Sequence, residues 1–437
     1  MKKIYIKDIK EYFNQEIEFQ GWVENIRDLQ YVQFVVLRDG TGKIQMTIEK
    51  NDLNENLNKI VSSLTLESTI KVSGKVLENE KVKLNGMEII PTNIEVTSLS
   101  LTDYPIDIRD INKSERENRL DNRFLDLRKD RNNLIFKVQT TLESAMREYW
   151  VNNDYIEMHS PKISGASAES GAEVFKLDYF GQKACLSQSP QFYKQMAMAS
   201  GFNKVFEIGN VFRAENSHTS YHAAEITMID MEISWINGVE DVMEEQEAWI
   251  KHFMNKVKEK HGNYIKEVFG VEVSDVSESF PRIEFYEAKK IVKEVYNYTG
   301  EKEEDFDRKE EELIGKYAKE KYNSDFVFIT KYPFAARPFY HMLDEKGLTK
   351  SYDLLFKGLE ITTGAQREHR YEILKSQIIQ KGIDPEELKF YLDFFKYGCP
   401  PHGGFGVGMG RVLMQIFDID NIRETTLIYR GPNRLNP

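Results

Sequence analysis

The 437 residues carry 59 Lys and Arg against 71 Asp and Glu, a formal net charge of -12, with 41% hydrophobic and 12% aromatic content. That length exceeds one ordinary domain, so a two-domain chain with a large core is the natural prior. The acidic total argues against a protein that binds nucleic acid by bulk charge, although a local basic stripe is compatible with it, and no apolar run nears the roughly 18 residues a membrane span needs.

The opening MKKIYIKDIKEYF mixes lysines with polar residues and lacks the apolar block of an export signal. Cys185 and Cys399 stand far apart, which speaks against a disulfide framework or a cysteine metal cluster and fits a reducing cytoplasm. From 17 to 98 the chain reads as five short strands, IEFQGWV, VQFVVLRD, KIQMTIEK, STIKVSGKVL and MEIIPTNIEVTSLS. Several alternate with period two, and RDGTGK is a hairpin turn, so a small barrel or sandwich is expected. The charged stretch IRDINKSERENRLDNRFLDLRKDRNN has no apolar periodicity and reads as a hinge or docking segment. LIFKVQTTLESAMREYWVNN has helical spacing, and strands then alternate with short helices to the end. Two longer helices are expected, Val239 to about Lys260, and Pro385 to about Tyr397 with Asp384 as N-cap and Gly398 as stop. GEKEEDFDRKEEELIGKYAKEK reads as a solvated helical insertion.

Four segments carry chemistry. In VFRAENSHTSYHAAE, Arg213 and Glu215 sit two apart behind the strand-like KVFEIG, and a second strand, ITMIDMEISWI, completes a hairpin. A guanidinium there can grip a phosphate while His218 and His222 close over outer phosphates; the alternative is an Arg213–Glu215 ion pair with solvated histidines. In QSPQFYKQMAMASG, Ser189 and Pro190 open a helix and Gly201 ends it, so Gln191 to Lys194 lie where exposed amides and a lysine favour an anion. In DLLFKGLEITTGAQREH, Glu360 beside hydroxyls suits a hard cation such as magnesium, and Arg367 offers a fork for a carboxylate. In PPHGGFGVGMGRVLMQIF, glycines at 403, 404, 406, 408 and 410 permit close backbone approach to a ligand, but the pattern is not a dinucleotide fingerprint.

In this order, together with YIEMHSPKI around Pro161, these segments resemble the class II aminoacyl-tRNA synthetases, in particular their aspartyl branch of archaeal and second bacterial form, nearly end to end. The resemblance implies an α+β protein. Residues 1–103 would be a five-stranded OB-fold barrel that binds the anticodon, 104–130 a hinge, and 131–437 a catalytic domain with an antiparallel sheet flanked by helices. It implies aspartate–tRNA ligase activity with ATP as substrate and magnesium as cofactor, tRNA-Asp as partner, tRNA-Asn left open, and a homodimer paired through the first motif. Arg213 would hold the ATP α-phosphate and the aspartate carboxyl. Arg213, Ala214, Glu215, Tyr221, His222, Ala223, Glu360, Gly408, Met409, Gly410 and Arg411 would form the ATP site, with Arg411 on adenine. Glu360 and Thr363 would bind magnesium. Glu169 would meet the α-amino group, Gln191, Phe192, Tyr193, Lys194 and Thr363 would line the amino-acid pocket, and Lys194 and Arg367 would hold the side-chain carboxylate. Two cations facing one carboxylate would reject asparagine, whose amide leaves them unpaired. Phe34, Gln45 and Glu88 would read the anticodon, Phe34 by stacking worth roughly 1–3 kcal/mol. The first 103 residues hold 13 Lys and Arg against 16 Asp and Glu, so this role rests on the resemblance and not on charge.

The chain departs from the family at Tyr221, where an arginine touches the ATP tail, at Ile226, often aromatic, and at Thr363, usually serine. Other readings are an asparaginyl enzyme, an RNA-binding paralogue without aminoacylation, and an ammonia-using asparagine synthetase, which would not need residues 1–103.

Overall fold

The computed structural model describes residues 4–84, 86–165 and 173–437. The chain divides into two compact units, Met1–Asp107 and Ile108–Pro437.

The first unit holds strands β1 (Glu16–Asp28), β2 (Val32–Arg38) and β3 (Lys43–Glu49), helix α1 (Glu55–Ser63), and strands β4 (Thr69–Glu78) and β5 (Met87–Ser98). They close into a barrel in the order β1-β2-β3-β5-β4, antiparallel except between β3 and β5. The five expected strands are these five. Alternation sends Val35, Leu37, Ile44, Met46, Val72 and Ile89 into the barrel core, which leaves the outer face free for polar work. Helix α1 was not expected; only Leu57 and Val61 bury from it, too short a stripe to stand out in a polar run.

The second unit begins with the short helices α2 (Arg116–Asp121) and α3 (Arg123–Asp126) and the long α4 (Asp130–Asn152). Strands β6 (Ile156–Glu157), β7 (Ile163–Ser164), β8 (Lys176–Tyr179) and β9 (Gln182–Leu186) precede helix α5 (Gln191–Ala199). The hairpin β10 (Lys204–Phe212) and β11 (Glu225–Ser234) leads to α6 (Val239–Phe269), β12 (Arg282–Glu284), α7 (Phe285–Tyr296), α8 (Arg308–Tyr322) and β13 (Phe326–Thr330). Strands β14 (Ser351–Phe356) and β15 (Leu359–Gln366), helices α9 (Tyr371–Gln380) and α10 (Lys389–Leu392), strand β16 (His402–Gly408) and helix α11 (Met409–Phe417) complete it. Eight strands form one sheet, β12-β13-β14-β15-β16-β11-β10-β6, antiparallel except at its two ends, and β7-β9-β8 form a small second sheet. Against the large sheet pack α4 and α6, whose Trp150 and Trp249 stack at 4.6 Å in a core shared with Phe206 and Phe405. No described helix is long and apolar enough to cross a membrane.

Several expectations shift. The charged stretch after residue 107 is held by buried ion pairs: Arg123 reaches Asp126 at 2.7 Å, Arg119 pairs with Glu424, and Arg123 also donates to the Glu424 and Thr426 carbonyls at 3.1 and 3.0 Å. Charge fastens this segment where apolar periodicity does not. Helix α6 continues to Phe269 and ends at Gly270 in the left-handed region. The helix expected over Pro385–Tyr397 is one α-turn, α10, between tighter turns, with Leu388, Tyr391, Leu392 and Phe395 buried against Phe192 and Phe339. The insertion is helical only from Arg308, after an Asp307–Glu310 capping box, and buries Ile314 and Ala318 instead of floating in solvent.

Glycine 404 sits opposite Glu232 in the β11–β16 ladder, and a Cβ there would collide with the Met231 carbonyl and the Glu232 carboxylate. Gly403 and Gly404 therefore serve strand packing, not the ligand approach expected of the glycine run. Gly404→Val should destabilise the second unit by about 1–3 kcal/mol, seen as a lower urea midpoint; an unchanged midpoint contradicts this packing.

Candidate active site

A cavity of about 440 Å³ lies over strands β11, β15 and β16, walled by the loop after β10 and by residues 336–341. Arg213 stands one residue past β10, fixed by its amide donating to the Ala224 carbonyl at 2.9 Å, so it is at the strand's mouth and not on the strand as expected. Its guanidinium lines the cavity and has no ion-pair partner among the described residues, which leaves it available for an anionic ligand. The expected alternative, an Arg213–Glu215 pair, is not made. The loop is strapped down from below, with the Ile422 amide donating to the Ser220 carbonyl at 2.8 Å. Tyr221, His222 and Ala223 line the cavity with Glu215, while burial, and then Arg411, lower the His222 pKa and favour its neutral form.

On β15, the Thr363 hydroxyl lies 2.8 Å from Asp353 Oδ1 and 3.1 Å from Glu360 Oε1. Arg337 holds the other Asp353 oxygen at 2.6 Å, and Arg411 donates to Glu360 Oε2 at 3.2 Å and to its carbonyl at 2.8 Å. Burial works to raise the Glu360 pKa, but Arg411 and Arg337 outweigh it and hold the carboxyl ionised; burial raises Asp353. Two carboxylates converging on one hydroxyl suit a hard divalent cation that completes its shell with phosphate and water oxygens. Among the described residues there is no closed cluster of three His, Cys, Asp or Glu that would hold a metal unaided.

Beneath the floor lies a buried charge network. Arg367, in the cavity wall, grips Glu232 with Nε at 2.9 Å and Nη2 at 3.3 Å, and its Nη1 is 3.2 Å from His341 Nε2. Lys194, on α5, reaches Asp230 at 2.9 Å and Glu232 at 3.4 Å. The two expected cations thus meet, but on a shared carboxylate of the protein, and Lys194 does not reach the cavity surface. Burial opposes ionising Glu232, yet Arg367 and Lys194 keep it charged; burial raises Asp230, whose Oδ2 is buried without a hydrogen-bond partner at the cavity floor. Gln191 lines the cavity, while Phe192 is core among Phe339 and Tyr391, Tyr193 and Ala214 lie outside the lining, and Met409 is core. Gly408, Gly410 and Thr363 line it. Glu169 lies outside the described residues. Asp353, Arg337, Asp230, Glu232 and His341 were missed; the acids at alternate positions of MIDMEI, on one face of a buried strand, were the available signal.

In the first unit, Phe34 faces away from the barrel core, with the Arg27 guanidinium 5.2 Å from its ring centre. Arg27 donates to Gln45 Oε1 at 3.3 Å, Gln45 to Thr47 at 3.2 Å, and Thr47 to Glu88 at 2.5 Å. The three expected anticodon residues therefore share one polar face, joined by Arg27 and Thr47.

A family model described as tRNA synthetases class II (D, K and N) matches residues 115–429, and one described as an OB-fold nucleic acid binding domain matches 17–97. The chain belongs to the class II aminoacyl-tRNA synthetases. This synthetase is 41% identical over 440 residues to an aspartate–tRNA(Asp) ligase of Pyrococcus abyssi, with 99% of each chain covered. It is 41% identical over 438 residues to an aspartate–tRNA(Asp/Asn) ligase of Methanopyrus kandleri, with all of both covered. Among solved structures it is similar to the asparaginyl-tRNA synthetase of Pyrococcus horikoshii complexed with asparaginyl-adenylate, TM-score 0.93 at 30% identity over the whole of both chains.

The synthetase's floor is braced by His402, whose Nδ1 donates to the Pro400 carbonyl at 2.9 Å while Nε2 accepts from Gln195 at 3.0 Å. The bond from Gln195 needs the neutral ring, since a protonated Nε2 cannot accept. Burial first, and then Arg367, lower its pKa from 6.5 to about 4, against opposing pulls from Glu232 and Pro400. A depressed folded-state pKa means stability that is complete above pH 6.5 and lost as pH falls toward 4, here about 3 kcal/mol. Unfolding of the wild type should weaken through that window more steeply than that of His402→Gln; equal pH slopes contradict the neutral, buried assignment.

Proposed function

We propose that this synthetase activates L-aspartate with ATP and transfers it to tRNA-Asp. The observation that carries the substrate reading is Arg367, a cavity-wall guanidinium locked by two bonds to buried Glu232 with Lys194 behind it. An arginine so oriented pairs with a side-chain carboxylate and gains little from an amide. The rise in the Asp230 pKa leans the network's charge positive, in the same direction. Full-length relatives named as aspartate ligases support it, while likeness to an asparaginyl enzyme is likeness of the scaffold.

In the reaction, an α-carboxylate oxygen of aspartate attacks the α-phosphorus of ATP in line, the bond to the bridging oxygen breaks, and pyrophosphate departs. Arg213 stabilises the charge that builds on the α-phosphate, and Arg411 packs against adenine. Magnesium held by Glu360 and Thr363, with Asp353 beside them, would supply neutralisation of phosphate oxygens. A hydroxyl of the terminal adenosine of tRNA then attacks the adenylate carbonyl and AMP leaves. Positioning and electrostatics do this work, with no covalent enzyme intermediate. The barrel face around Phe34, Gln45 and Glu88 reads the anticodon. Relatives of strict and of dual tRNA specificity match this chain at the same 41%, so tRNA-Asn stands as a second acceptor to be tested. Pairing as a homodimer fits β6, the last strand of the large sheet, where Ile156 is 50% exposed. Two cysteines, Cys185 and Cys399, far apart in the chain and in no disulfide, fit a cytoplasmic setting.

ATP–pyrophosphate exchange should depend on aspartate and ignore asparagine; the reverse dependence contradicts the assignment. Arg367→Gln should lower kcat/KM for aspartate by about a hundredfold or more. Charging of separately purified tRNA-Asp and tRNA-Asn with labelled aspartate measures the acceptor range.

A further inference from the structure

Of the loop residues that wall the nucleotide end of the cavity, Tyr221 is a neutral phenol and His222 is biased to its neutral form. The outer phosphates of ATP carry the molecule's greatest charge, and neither side chain balances it. Arg213 and Arg411 are assigned to the α-phosphate and adenine, so beyond the magnesium that Glu360 and Thr363 would hold, no further side-chain cation of this loop lines the cavity.

Arg308, the first residue of α8, stands against Tyr221, with its guanidinium carbon 5.1 Å from the ring centre. Its Nη1 donates to Glu311 Oε2 at 3.0 Å and to the Gly358 carbonyl, and its Nη2 lies 3.7 Å from Glu312, while Nε is buried without a hydrogen-bond partner. Glu311 Oε2 also accepts from the Glu360 amide at 3.2 Å. The first turn of α8 is therefore fastened both to the loop that closes over the nucleotide and to the strand that carries Glu360. A solvated insertion needs neither attachment. The side chain keeps 33% of its surface accessible, so its charge is anchored without being sealed off.

We propose that Arg308 and Tyr221 together form the subsite for the β- and γ-phosphates of ATP. The Tyr221 hydroxyl donates to a phosphate oxygen, and the guanidinium against its ring places a full positive charge beside the same oxygens, with the stacking contact holding it there. The subsite rests on the ATP reading above, and it supplies from α8 the charge that position 221 lacks.

Binding of ATP and of AMP, with magnesium and without aspartate or tRNA, separates the two ideas in the full-length protein. Arg308→Gln should weaken ATP about tenfold and AMP less than about twofold, Arg308→Lys should recover most of the loss, and Tyr221→Arg in the Arg308→Gln background should restore ATP binding. Tyr221→Phe, which keeps the ring and Arg308, is the second variant should the first not fold, and should weaken ATP about threefold while sparing AMP. An unchanged ATP-to-AMP preference in Arg308→Gln or Tyr221→Phe, or equal loss for both nucleotides, overturns the subsite. Failure of the wild type to bind either nucleotide would instead overturn the ATP reading itself.

Discussion

Glu232 is the carboxylate on which the amino-acid end of the site depends. It is fully buried in the central strand β11, where an unpaired charge is not tolerated, and it is satisfied by Arg367 from β15's end and by Lys194 from α5. Three separate segments are thereby brought to one point. The carboxylate has room because the residue opposite it in the ladder is Gly404, and Arg367 donates at 2.9 Å to the carbonyl of that same glycine. One glycine and one acid thus fix the place of the arginine proposed to receive the substrate carboxylate. Such a network offers geometry more than stability, since buried ion pairs often contribute little over apolar packing of equal volume.

The rest of the site is arranged around the same sheet. Strands β11, β15 and β16 give the floor, and the groups proposed to meet ATP sit at their edges or on the loop just past β10. Asp353, Thr363 and Glu360 gather oxygen ligands within hydrogen-bond reach of one another, with Arg337 and Arg411 setting their charge from either side. Cations and anions alternate across the cavity, so a triphosphate, a divalent cation and an amino acid can be held close without unpaired charge. Tight orientation of this kind is what a reaction without an enzyme nucleophile requires.

Local patterns made much of this visible before any coordinates. The barrel strands alternate with period two and are bounded by Gly, Asn and Asp, and all five were legible for that reason. The hairpin before and after residues 213–224 was legible too, as were Ser189 and Gly201 at the ends of α5. What resisted reading was non-local. Lys194 and Arg367 could be picked out as cations, but nothing near either announces Asp230 and Glu232, which come from another strand and pair with both. Phe192 and Met409 lie in segments rich in candidate site residues, and only the packing of distant elements shows them to be core. The helix expected after Asp384 is broken into short turns although its four buried side chains, Leu388, Tyr391, Leu392 and Phe395, keep the spacing of one helical face, so the local pattern could not mark the break. Arg308 resisted because it lies in a run of charges, of which Glu310 and Glu311 also turn inward.

The central claim is that Glu232 orients Arg367 for a substrate carboxylate. Steady-state pyrophosphate exchange by Glu232→Gln tests it most directly, because the substitution keeps the shape and removes the charge. The KM for aspartate should rise by about tenfold or more while the KM for ATP stays within about twofold. An aspartate KM equal to that of the wild type, or parallel loss for aspartate and ATP, would contradict it.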